Sequence, residues 1–124
     1  MRSHESLLFR IAWISLVVTG TGVLVFGLFA VLRPIGVDRA LFRSFGFASI
    51  GMGLFGIAVT LDSYRRCRPW AWFTLWYFPL FWIMHRVLHL PPSYDHVHQD
   101  LFIGLSLAGL LLPVRDFFPP RRAV

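Results

Sequence analysis

The sequence predicts an all-α membrane protein, with four transmembrane helices in an antiparallel bundle and both termini cytoplasmic. Three observations carry this. Of 124 residues, 56% are hydrophobic and only 15% charged, a balance far from that of an ordinary soluble domain. The charges cluster between long apolar runs. Arginines crowd the connections that four spans would place on one side.

Ile11–Leu32 holds 22 residues without a charge, about 33 Å as a helix. That exceeds the apolar core of a signal peptide, and Leu28-Phe29-Ala30 is a poor cleavage site. It reads as a retained first span, about 9–32. Phe45–Leu61 holds 17 uncharged residues, the short end of the spanning range, and gives a second span, about 45–62. Trp70–Met84 holds 15 and needs the following turn to cross, which places the third span at about 70–90. Pro91-Pro92 then breaks the helix. Leu101–Val114, with 14 uncharged residues, is too short alone. Ser93 is a natural N-cap and Asp95 is favourable in a first turn, so the fourth span is expected over about 94–113. The flanking tails are short, and no soluble domain is expected.

Arg2, Arg10, Arg65, Arg66, Arg68, Arg115, Arg121 and Arg122 fall on the side of the termini, against Arg33, Arg39, Arg43 and Arg86 on the other. Eight against four points to cytoplasmic termini. The net charge of +6 comes from twelve arginines and no lysine. These flank spans rather than forming a basic face, so nucleic-acid binding is not expected. Cys67, the single cysteine, excludes an intramolecular disulfide and a cysteine-based zinc or iron–sulfur centre. It reads as an incidental loop thiol.

Lipid provides no hydrophobic drive for helix association, so small residues mark contacts. The second helix offers Ser49, Gly53 and Gly56, and the fourth offers Gly104 and Ala108. The first has Gly20, Gly22 and Gly27. The third instead carries large aromatics. Trp70 and Trp72 fit an interfacial belt. Trp76, Phe78 and Trp82 form an expected aromatic surface facing lipid, a partner subunit or an apolar ligand. Pro79 is placed to bend this helix.

The third helix ends in polar groups. His85 and His89, spaced i, i+4, are expected on one face, and His96 and Asp100 repeat that spacing. A tight turn would bring the helices back along each other. Arg86 and Asp100 are then a candidate structural ion pair. His85, His89, His96, His98 and Asp100 are a candidate ligand or metal cluster, with donors suited to zinc, copper or non-haem iron. His85 is deep enough to be an axial haem ligand. An apolar pocket with His85 and Arg86 also offers hydrogen bonds to a quinone or lipid headgroup. The other reading is structural: interfacial histidines are wet, arginine snorkels, and an Arg86–Asp100 bridge simply locks the hairpin. No nucleophilic triad, phosphate loop or dinucleotide fingerprint is present, and no catalytic residue or particular cofactor is identified.

Arg43-Ser44-Phe45-Gly46 opens the Gly-rich second helix. Tyr64-Arg65-Arg66-Cys67-Arg68-Pro69-Trp70-Ala71-Trp72 leads into the third, followed by Leu75-Trp76 and Pro79. Together they resemble small bacterial four-helix inner-membrane proteins of the broad DoxX-like kind. The resemblance implies four transmembrane helices in a bacterial plasma membrane. Relatives of that kind are linked to quinone or thiol redox chemistry, but this chain has no redox cysteine pair. The functional expectation is a non-enzymatic accessory or assembly subunit, with a membrane protein or a second copy as partner. The alternative is a membrane ligand-binding protein, for a metal, haem, pigment or quinone, using the histidine end. A transporter is the weakest reading, since four spans show no inverted repeat.

Overall fold

Helices begin where a side chain can satisfy the first backbone donors. The Ser6 hydroxyl accepts from the Phe9 amide at 3.2 Å and starts α1 (Leu7–Leu32). An Asp38 carboxylate oxygen accepts from the Leu41 amide at 2.9 Å and starts α2 (Arg39–Val59). The second helix therefore opens one and a half turns before its apolar run, carrying Arg39 and Arg43. It closes in a π-helical turn, Thr60–Tyr64. Next come α3 (Pro69–Leu75), α4 (Tyr77–Val87), α5 (Val97–Leu111) and the single turn α6 (Val114–Phe117). The computed structural model describes residues 6–89 and 96–121, all helical or in short connections. The expected N-cap Ser93, with Asp95 and Pro91-Pro92, lies outside the described residues.

Three stretches are long and apolar enough to cross a membrane: Leu7–Leu32, Arg39–Tyr64 and Val97–Phe117. The expected third helix is different. It is broken at Trp76 into pieces of 7 and 11 residues. Pro79 has no amide proton to offer the Leu75 carbonyl. The chain tightens ahead of it, with the Trp76 amide reaching the Phe73 carbonyl at 3.3 Å.

The first two helices meet backbone to backbone. Gly20 and Gly27 are seven residues apart, as are Gly46 and Gly53. They pair antiparallel, Gly27 with Gly46 and Gly20 with Gly53. A Cβ on Gly27 would lie 2.7 Å from the Gly46 carbonyl oxygen, and one on Gly53 would lie 2.8 Å from that of Gly20. A seven-residue period keeps both pairs on one seam as the helices wind around each other. Ser49 lies buried along the same helix, its hydroxyl donating to its own Phe45 carbonyl at 3.0 Å.

Other glycines admit aromatic rings. Phe78 of α4 fills the space over Gly56, and Phe102 of α5 the space over Gly22. On α5 the close approach is made by Gly109, whose Cβ would meet the Ala12 carbonyl at 2.9 Å. Among the described residues, nothing lies within 4 Å of the Gly104 Cβ position. The expected contact at Gly104 is thus an exposed position, while Ala108 is half-buried and the close approach falls at the next residue, Gly109.

The aromatic surface expected on the third helix is mostly interior. Phe78 is 2% exposed and Trp82 1%, while Trp76 is half-buried. The outward face carries Trp70, Phe73, Tyr77, Leu80 and Met84 instead. Outward apolar residues also cover α1 and α2, the pattern of a surface solvated by lipid.

One end of the bundle is closed by aromatics. Phe9 stacks on Tyr64 and Phe117 packs tilted against both, and the Arg65 guanidinium lies 4.8 Å from the Trp13 ring centre. Pro113 cannot donate to the Gly109 carbonyl, and the Tyr64 hydroxyl donates there instead. The next carbonyl, Leu110, accepts from the Trp72 indole nitrogen at 2.8 Å. Tyr64 and Trp72 thus close the gap that Pro113 opens between α5 and α6. The opposite end holds His85.

Candidate functional site

His85 sits on the last full turn of α4 and exposes 3% of its surface. Phe81 packs on its ring at 4.3 Å between centres, Phe26 of α1 at 5.2 Å and Phe45 of α2 at 5.5 Å. Phe26 is the hub of this end, also touching Phe81 and Trp82 edge-on. The histidine therefore lies inside an aromatic cage built by three helices.

Its Nδ1 lies 2.8 Å from the Phe81 carbonyl oxygen. A carbonyl only accepts, so Nδ1 carries the proton and donates. In the neutral ring this leaves Nε2 with its lone pair. Nε2 is buried and has no hydrogen-bond partner among the described residues. Two other buried groups at this end share that condition: the Trp82 indole Nε1 and the Gln99 amide Nε2. Each unpaired buried polar group forfeits about 1–3 kcal/mol, and most native interiors contain few.

Cavities flank the cage. One of about 400 Å³ lies between the α1–α2 connection, the start of α2 and His85. A second of about 320 Å³ shares Phe45 and His85 with it and continues along α4 past Phe81 and Leu88. A third of about 620 Å³ lies across Phe26, between α1 and α5, bordered by Trp82, His98 and Phe102. All are lined mostly by apolar side chains, the usual composition of a small-molecule site.

The candidate cluster is divided among different partners. Arg86 Nε donates to Asp100 Oδ1 at 3.2 Å, both side chains substantially exposed. The pair joins α4 to α5. His89 does not share a face with His85. The helix ends at Val87, and His89 takes a left-handed φ of 50°, so the i, i+4 rule no longer applies. The His89 ring faces His96 at 5.9 Å. His96 Nδ1 pairs with Gln99 Oε1 at 3.0 Å. His98 lies edge-on to Trp82 at 6.0 Å. Among the described residues, no three His, Cys, Asp or Glu side chains are grouped to hold a metal ion.

Phe26, Phe45 and Gln99 belong to this end, yet the sequence does not single them out as site residues. Phe26 and Phe45 are ordinary apolar residues of their spans. Gln99 stands among surface-type polar residues but is fully buried. An uncharged polar side chain two residues before an apolar run was its only sequence signal. Comparison of the chain with protein-family models, curated proteins and solved structures finds no match.

Proposed function

We propose that this chain is a four-span protein of a bacterial plasma membrane, with both termini cytoplasmic. It has no catalytic activity of its own and binds a lipid-soluble ligand at the His85 end of the bundle. One observation carries the binding reading: a buried imidazole nitrogen with an unused lone pair, held by the Phe81 carbonyl and bordered by apolar cavities. Ionisable groups within a membrane mark function by default. α3 and α4 together supply the remaining crossing, bent at Trp76. The DoxX-like resemblance of Tyr64–Trp72 belongs to the same proposal.

The test is extraction of small molecules from protein purified in mild detergent out of its native membrane. Mass spectrometry of the extract should show a species in proportion to protein that His85→Phe loses. Identical extracts from the two proteins would reject the binding reading.

A second reading, an accessory subunit of a membrane complex, is favoured by the exposed Gly104, where none of the described residues lies within 4 Å of the Cβ position. Small residues let another helix approach closely. Gly104→Leu should then remove a partner that co-purifies under gentle conditions. A protein that runs alone before and after the change would reject this reading.

A further inference from the structure

The chemistry of His85 restricts what its cavity can hold. Nδ1 is committed as a donor to Phe81, so Nε2 offers only an acceptor in the neutral ring. A carbonyl, ether or carboxylate gains nothing from it. The cavity wall is mostly apolar, formed by Ile35, Val37, Leu41, Phe42 and Phe45, with Asp38 as its one charged residue. Val37 and Leu41 are themselves exposed, so the mouth offers apolar surface beside Asp38, whose carboxylate caps α2. Such a space admits a molecule that arrives through lipid and brings its own hydrogen.

We propose that His85 Nε2 accepts a hydrogen bond from the hydroxyl of a lipid-soluble alcohol or phenol, seated in the cleft beside Phe45. Three features support this class. The acceptor nitrogen is itself buried, so the hydroxyl reaches it only as a ring of the cage shifts, and the bond made there is shielded from competing water. Phe45 borders both cavities and presents flat apolar surface to the ligand's body. The cavities on either side of Phe45 measure about 400 and 320 Å³, room for a ring or short chain with its tail in the bilayer. The inference rests on the binding reading above and adds the required donor.

The test uses the full chain in phosphatidylcholine nanodiscs with two probes, para-nonylphenol and its methyl ether. They share an apolar body and differ in the hydroxyl hydrogen. Affinities are expressed per concentration in the lipid phase. The phenol should bind saturably, and the ether roughly fivefold to tenfold more weakly, the factor expected for one net hydrogen bond. In protein with isotope-labelled histidine, the His85 Nε2 resonance should move with the phenol alone. His85→Phe keeps an aromatic ring in the cage and should bind both probes equally.

Equal binding of the two probes to the unaltered protein would overturn the donor requirement and leave cavity binding standing. Binding of neither would overturn both. A haem or metal absorption band in the purified protein, lost in His85→Ala, would overturn the hydrogen bond in favour of coordination by the same nitrogen.

Discussion

At the scale of single residues, the side chains that matter are those answering an unpaired backbone group. Tyr64 and Trp72 are the clearest case. In a bilayer no water satisfies a carbonyl released by proline, and here a phenol and an indole reach two of them on α5. Tyr64→Phe should destabilise the fold by about 1–3 kcal/mol, read as a lower midpoint in thermal or detergent unfolding. An unchanged midpoint would show that Gly109 finds another donor. Arg86 makes the contrasting prediction. Its pair with Asp100 is exposed, and Arg86→Gln should cost less than about 1 kcal/mol. Ser15, Thr19 and Thr60 need no outside partner, because each hydroxyl donates to the carbonyl four residues back.

At the scale of elements, the α1–α2 seam has the least tolerance. Gly27 and Gly46 meet at backbone contact, and a side chain on either would collide with main-chain atoms that cannot rotate away. Gly46→Val should abolish the folded bundle, seen as aggregation or degradation on expression. Gly51, on the same helix with open space around it, should accept the same change within about 0.5 kcal/mol. Similar effects at the two positions would argue against the seam. The α3–α4 segment makes an opposite demand. It is divided at Trp76 into two helices. Phe78 then enters the space over Gly56, and Trp82 stacks on Phe102 at 4.9 Å. Pro79→Ala restores an amide to the broken turn and should raise helix content by circular dichroism.

At the scale of the whole molecule, the two ends of the bundle differ. The Tyr64 end is packed and internally bonded. The His85 end retains buried polar atoms without partners among the described residues, beside open cavities. The proposed topology places the closed end at the cytoplasm and the His85 end in the outer leaflet. A reporter fused to the C-terminus should be active only in its cytoplasmic form, and the reverse result would invert the assignment.

Much of the fold was legible in the sequence because its signals are local. Uncharged runs located the long helices, and small residues on the first, second and fourth marked them for close contacts without saying which would meet. Pro79 announced a bend, and the Arg86–Asp100 pair followed from a short turn between antiparallel helices. The candidate cluster was only partly legible. Helical spacing predicted a shared face for His85 and His89, but the helix ends between them. Phe78 and Trp82 looked like surface because hydropathy is nearly uniform around a membrane helix, leaving no period to separate inside from outside.

By itself, then, the sequence determined that this is a helical membrane protein, where its long apolar helices lie and which residues permit close packing. These follow from composition and backbone preference along the chain. Only the tertiary structure decided which glycines meet, which aromatics turn inward and which nitrogen of His85 is left to accept. Each depends on what a neighbouring helix places opposite: Gly46 across from Gly27, Phe26 and Phe45 around an imidazole, and Tyr64 against a carbonyl that a distant proline had released.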